Sequence, residues 1–145
     1  DMQAACGLAQ LEKLNSFIKI RKKNFNYLYK KFKKLEEYFI LPESLKEADT
    51  SWFGFALTLR KNLFFNRNEL IRFLDKKKID TSLLFAGNIT KQPLLKDTLY
   101  KIHNNLPNTN EVMDNTFWMG VYPALKKPHL DYMFDKVCEF IKNKK

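Results

Sequence analysis

Between Leu83 and Pro93 the chain carries its best candidate for a ligand-contacting turn. An apolar run, Leu83-Leu84-Phe85-Ala86, empties into Gly87-Asn88, then a polar stretch, then Pro93. A buried strand that ends in a flexible polar turn is where folds tend to set binding groups. Gly87 has no side chain, so the backbone there can approach a ligand closely. The competing reading is an ordinary strand-to-loop exit, and the segment by itself does not separate the two.

Elsewhere the side chains that do chemistry are scattered. No G-x-G-x-x-G, Walker, H-E-x-x-H or G-x-S-x-G pattern occurs, and four glycines are too few for a glycine-rich phosphate cradle. His103 and His129 are isolated, so neither completes a Ser/His/Asp or Cys/His set, and both read as surface or capping residues. Glu36-Glu37 and Glu43, Glu47 and Asp49 read as helix-end and loop charges. Asn88-Ile89-Thr90 matches an N-glycosylation acceptor, which is idle in a chain that is not secreted. Cys6 and Cys138 each fall in a helix-like apolar pattern and read as small buried hydrophobes. With two histidines they lack the spacing of a zinc or iron–sulfur site. Taken alone, the chain is expected to hold no catalytic residue and no metal.

Twenty-six Lys and Arg against sixteen acids give a net charge of +10. The surplus raises the alternative of a basic, non-enzymatic binding module for nucleic acid or membrane phosphates. The positive residues are spread along the chain, lysine predominates, and no recognition-helix or zinc-finger pattern accompanies them, so they read as solvated faces. Asp1-Met2-Gln3-Ala4-Ala5 has neither the basic flank nor the apolar run expected of a secretory signal, and no stretch approaches the ~20 apolar residues needed to span a bilayer. The expectation is a cytoplasmic chain that binds neither nucleic acid nor membrane.

The elements that would position the turn follow from periodicity. Leu11, Leu14, Ile18, Phe25, Leu28, Phe32 and Leu35 recur at three- and four-residue steps, with only Arg21 breaking the stripe, which predicts a helix over 1–38. Such a helix reaches roughly 50 Å at about 1.5 Å per residue, so it either kinks or extends beyond a domain of this size. Its pattern already runs at Asp1, a possible cap, which suggests a piece of a longer polypeptide. Phe53, Phe55, Leu57 and Leu59 alternate with smaller residues as a strand does. Asn66 caps a helix carrying Leu70, Ile71, Phe73 and Leu74. Ile79 to Ala86 is the second strand, Asn108 or Asn110 to Asn115 a short helix, Phe117 to Tyr122 the third strand, and Pro128 opens the last helix. The fold class is α+β: a small antiparallel sheet of about three strands packed with helices, one domain over 1–145, with a sheet-and-helix body at 39–145.

Three stretches carry a family resemblance: Asp1-Met2-Gln3-Ala4-Ala5-Cys6-Gly7-Leu8-Ala9-Gln10-Leu11-Glu12-Lys13-Leu14, the segment Leu83 to Pro93, and Leu106-Pro107-Asn108-Thr109-Asn110 through Thr116-Phe117-Trp118-Met119-Gly120-Val121-Tyr122-Pro123. Together they resemble the C-terminal small domain of fold-type I pyridoxal-phosphate enzymes of the sugar-nucleotide aminotransferase superfamily. Within it they look most like the NDP-4-keto-6-deoxyhexose 3-dehydrases of lipopolysaccharide biosynthesis. The resemblance implies a homodimeric parent acting on a nucleotide-linked 4-keto-6-deoxyhexose, with pyridoxal or pyridoxamine phosphate as electron sink. It places the cofactor mainly on an N-terminal domain upstream of Asp1, with a [2Fe-2S] cluster there in some members, and none in this piece, which is expected to be inactive alone. It makes residues 1–38 an inter-domain helix, Phe85, Gly87, Asn88 and Gln92 the sugar-facing residues, and Gln3 a neighbour of the cofactor. Ser82 and Lys91 stand where arginine is common in that branch, which leaves the substrate open; a transaminating relative is the alternative.

Overall fold

A computed structural model describes residues 1–145. Helix α1 (Met2–Leu11) starts on Asp1, whose carboxylate accepts the Gln3 amide at 3.1 Å. The helix predicted over 1–38 is not continuous. It is interrupted at Glu12-Lys13, where the Lys13 amide donates to the Gln10 carbonyl at 3.0 Å. Helix α2 (Leu14–Phe32) then resumes and tightens into a 3₁₀ turn over Lys33–Leu35. Packing explains the break: no residue of α1 is buried, whereas Phe25, Leu28 and Phe32 of α2 are. Helical order depends chiefly on a packed face, so a segment without one is not held in register with a segment that has it. The apolar stripe therefore joins the core only from Phe25 onward.

Strands β1 (Phe39–Ile40), β2 (Gly54–Leu59), β3 (Thr81–Leu83) and β4 (Thr116–Gly120) form an antiparallel sheet in the order β1-β2-β4-β3. The fourth strand, β1, pairs only Phe39 and Ile40 with Leu59 and Thr58, too short a run for alternation to reveal. Register sets Phe55 opposite Met119 and Leu57 opposite Phe117. Side chains alternate across a strand, so Phe55, Leu57, Leu59, Phe117 and Met119 share one face, and all are buried. Helices α2, α3 (Arg67–Lys76) and α5 (Lys127–Lys144) cover it. Gly54, Ala56, Thr58, Ser82 and Trp118 fall on the other face and are only partly buried.

Capping is as the sequence predicts at α3: Asn66 Oδ1 accepts the Glu69 amide and Glu69 accepts the Asn66 amide, each at 3.0 Å. This reciprocal arrangement satisfies two otherwise orphaned donors. Three expectations are corrected. The second strand covers only Thr81–Leu83, and the first begins at Gly54, leaving the Phe53 ring exposed. Cys6 is exposed, because α1 has no partner; only Cys138 is half-buried, and burial raises its thiol pKa. No helix is long and apolar enough to cross a membrane.

Asp131 ties α2 to α5: its carboxylate accepts Tyr27 Oη at 2.6 Å and the Lys31 ammonium. The Lys31 and Tyr27 hydrogen bonds hold the Asp131 pKa below the ordinary carboxylate value. A depressed folded-state pKa means that the contribution is present above the unfolded pKa and lost as pH falls through the folded one. We expect wild type to exceed Asp131→Asn in urea midpoint from neutral pH down to the ordinary carboxylate range. The gap should close at still lower pH, and a gap independent of pH would refute the assignment.

Candidate functional site

The candidate turn is built on strained backbone. β3 stops at Leu83 because Phe85 takes a left-handed φ of 48° and its amide folds back to the Leu83 carbonyl at 2.9 Å. A bulky residue rarely adopts that region, and such a conformation persists where the surroundings enforce it. The consequence overturns the buried strand end read from the sequence: Leu83, Leu84 and Phe85 are exposed, the Phe85 ring by 87%.

Gly87 has φ +64°, and a Cβ there would lie 2.6 Å from Cβ and Cγ of Met113. Met113 belongs to α4 (Pro107–Asn115), and its carbonyl accepts the Arg67 guanidinium, which also reaches the Thr116 carbonyl at 3.3 Å. Burial lowers the Arg67 pKa from its ordinary value, with Asp114 opposing the shift. Arg67 thus fixes, from the start of α3, the surface against which Gly87 lies.

Asn88 is 2% exposed, and its amide is engaged within the chain. Its Oδ1 accepts from the Thr90 amide at 3.0 Å and the Thr90 hydroxyl at 2.7 Å, while Nδ2 donates to Asn110 Oδ1 at 2.8 Å. Gln92 closes the loop by donating Nε2 to the Ala86 carbonyl at 2.9 Å. The structure therefore brings Phe85, Gly87, Asn88 and Gln92 into one loop, with Asn88 as its internal clamp. Phe85 remains presented outward. Beside the clamp lies a recess of about 380 Å³ whose polar lining is Asn88, Thr90, Lys91, Asn104, Asn105 and Asn110, with Ile102 and Leu106 as its apolar part. Amides, a hydroxyl and one ammonium suit hydroxyl-bearing and anionic ligands; there is no acid–base pair among them.

Sequence reasoning missed Asn110, Arg67 and Met113 as supports of this loop. Their signal is purely tertiary, since Asn110 meets Asn88 across 22 residues and Arg67 meets Met113 across 46. Gln3 sits on exposed α1 and is not brought to the loop. Ser82 lies on the open sheet face opposite Trp118, and Lys91 ends the 3₁₀ turn Ile89–Lys91.

The lysines with shifted pKa values, Lys31, Lys136 and Lys145, are all shifted upward by their hydrogen-bond partners, away from a reactive amine. Every buried side-chain polar atom already has a partner within the chain. Gln3 and Gln10 supply amides on the solvent-exposed helix α1.

The model of the DegT/DnrJ/EryC1/StrS aminotransferase family matches residues 1–138. The lipopolysaccharide biosynthesis protein RfbH of Salmonella typhimurium is 49% identical over 97% of this chain and 32% of its own length. The dTDP-4-dehydro-2,6-dideoxy-D-glucose 3-dehydratase of Saccharopolyspora spinosa is 39% identical over 97% of this chain and 30% of its own. Among solved structures, GDP-4-keto-6-deoxymannose-3-dehydratase with bound GDP-perosamine superposes with a TM-score of 0.85 at 30% identity, over 94% of this chain and 35% of that one. The chain thus spans about a third of the length of the curated relatives it matches, and it corresponds to the C-terminal part of the 3-dehydratases.

Proposed function

From the premise that this chain belongs to the DegT/DnrJ/EryC1/StrS aminotransferase family, we propose that it is the substrate-cleft domain of a nucleotide-sugar 3-dehydrase. The whole protein would remove the C3 hydroxyl of a nucleotide-linked 4-keto-6-deoxyhexose, as a homodimer, in deoxysugar and lipopolysaccharide biosynthesis. The observation that carries this reading is the match over 97% of the chain, at 39% identity, with a protein named for 3-dehydration.

On this reading the chain's own residues line the sugar's side of the cleft. Phe85, held outward, packs on the sugar; Gly87 lets the loop close against Met113; Asn88 keeps the loop in shape; the Gln92 carbonyl oxygen and Lys91 face the ligand. Pyridoxal or pyridoxamine phosphate would be held mainly by residues outside this chain. Helix α1, which carries no charged residue over Met2–Leu11 and buries none of them, would dock on that part and carry Gln3 to it. Uncharged helical surface of this kind ordinarily has a partner.

The test is a chimera in which this chain replaces the matching third of the Saccharopolyspora enzyme. Supplied with pyridoxamine phosphate, the chimera should dehydrate the substrate for which that enzyme is named, and Phe85→Ala should lower turnover without changing cofactor loading. A folded, cofactor-loaded chimera that leaves this substrate untouched would overturn the reading.

A further inference from the structure

One face of α2 carries a row of unpaired positive charge. Lys19, Lys23 and Lys30 of the helix, and Lys33 and Lys34 of the 3₁₀ turn that ends it, are all exposed. None of the five forms an ion pair. At about 100° per residue they share with Asn26 an arc of roughly 100°, opposite the buried Phe25, Leu28 and Phe32. The row is roughly 22 Å long at about 1.5 Å per residue. No acid occurs between Glu12 and Glu36, so no carboxylate of the helix interrupts it. Asp49 and Asp131, which reach α2 from other parts of the chain, are taken up by Lys22 and Lys31 at its edges.

The other long helix is built differently. On α5, Asp131, Asp135 and Glu139 are interleaved with Lys136 and Lys142, and Glu139 pairs with both Lys136 and Lys77. On α2, Lys19 and Lys23, and again Lys30 and Lys34, stand four residues apart as like charges, a spacing that weakens a helix. A face that only needed to be wet would be served as well by alternating signs. Along the sequence these lysines are dispersed and read as solvated charge that binds no membrane. In the fold their steps of four, seven, three and one bring them onto a single stripe, and that expectation no longer holds for α2.

We propose that this stripe docks the chain on an anionic membrane surface, its ammonium groups meeting lipid phosphates. A cluster of basic residues on an amphipathic helix suits acidic headgroups, and each adds to the affinity while it lies within a Debye length of the surface. The contact is peripheral, because Phe25 and Phe32, which could otherwise enter the acyl region, pack on Phe55, and Phe32 also on Phe134. A bilayer fits the row better than a nucleic acid does. The phosphates of a duplex curve away from a straight helix, whereas headgroups meet it along its whole length. The stripe holds lysine alone, a point charge without the planar fork that favours arginine in nucleic-acid recognition. Half-buried Tyr27 and Tyr29 flank it on either side, and tyrosine suits a boundary between apolar and wet surroundings. The proposal does not depend on the substrate of the whole protein.

The experiment is co-sedimentation of the 145-residue chain with phosphatidylcholine vesicles that contain about one-third phosphatidylglycerol, against vesicles of phosphatidylcholine alone. Saturable binding to the anionic vesicles only is expected, falling steeply as salt is added. Replacing Lys19, Lys23 and Lys30 together by Gln should weaken it by more than about tenfold, since one lysine near the surface is worth roughly fivefold. Lys23→Gln alone should weaken it by about fivefold and serves should the triple variant disturb the fold. Lys76→Gln, Lys96→Gln and Lys142→Gln combined make the same charge change at exposed lysines elsewhere. Screening of distant charges should hold that loss below about threefold. No binding to the anionic vesicles, or equal losses in the two triple variants, overturns the proposal. Release of the bound chain by random duplex DNA added at equal phosphate overturns it too, in favour of nucleic acid.

Discussion

Phe32→Ala is expected to cost about 3–5 kcal/mol, the range for truncating a core phenylalanine. Phe32 is fully buried, and its ring lies 6.1 Å from Phe39, 5.2 Å from Phe55 and 5.2 Å from Phe134. One side chain therefore joins α2 to β1, to β2 and to α5, and its removal opens a cavity that three elements must share. A domain of this size loses roughly 2–4 °C of midpoint per kcal/mol, so the thermal transition should fall by on the order of 10 °C. Phe85→Ala is the matched comparison. Its ring is almost wholly in solvent, and the change should stay within about 0.5 kcal/mol, as exposed substitutions do. Scanning calorimetry or urea melts of the two variants would settle it; similar losses would mean that Phe85 is packed, and the outward presentation assigned to it would fall.

The contrast between these two phenylalanines also shows what could be read in advance. Phe32 belongs to a stripe at helical spacing, and Phe55 and Phe117 alternate as strand residues do, so the buried face was legible from period alone. Phe85 stands in an equally apolar run, yet it is exposed, because a left-handed φ at that residue turns the chain out of the sheet before the run ends. Local hydrophobicity cannot report a dihedral angle. The same holds for Asn88: a polar residue after a glycine reads as ligand-facing, whereas its amide is satisfied by Thr90 and Asn110. Asn110 lies in a stretch without periodicity, so nothing in the sequence joined the two. Arg21 is the reverse case. As a charge inside an apolar stripe it was visible at once, but the Trp52 and Phe53 carbonyls that accept its guanidinium lie 31 and 32 residues on.

Gly87→Ala should separate the needs of the loop from those of the fold. The added methyl would lie 2.6 Å from Met113 Cβ and 2.9 Å from its Cα, at a φ of +64° that disfavours any side chain. Backbone does not yield as a flexible side-chain end does, so the loop must lift from α4 or α4 must shift against its Arg67 anchor. Relief is easiest in the loop, which contributes only Asn88 to the buried set. We expect the chain to keep its sheet and its cooperative melt while Phe85 and Gln92 move by about an ångström. In the chimeric enzyme, misplacement on that scale should lower turnover by roughly 10–100-fold. For the melt of the 145-residue chain Gly7→Ala provides the control, because a Cβ there meets nothing within 4 Å and alanine in a helix interior is favoured by about 0.5–1 kcal/mol. Should Gly87→Ala leave turnover unchanged while the chain stays folded, the loop is not part of the cleft, and the sugar-facing role of Phe85 and Gln92 is lost with it.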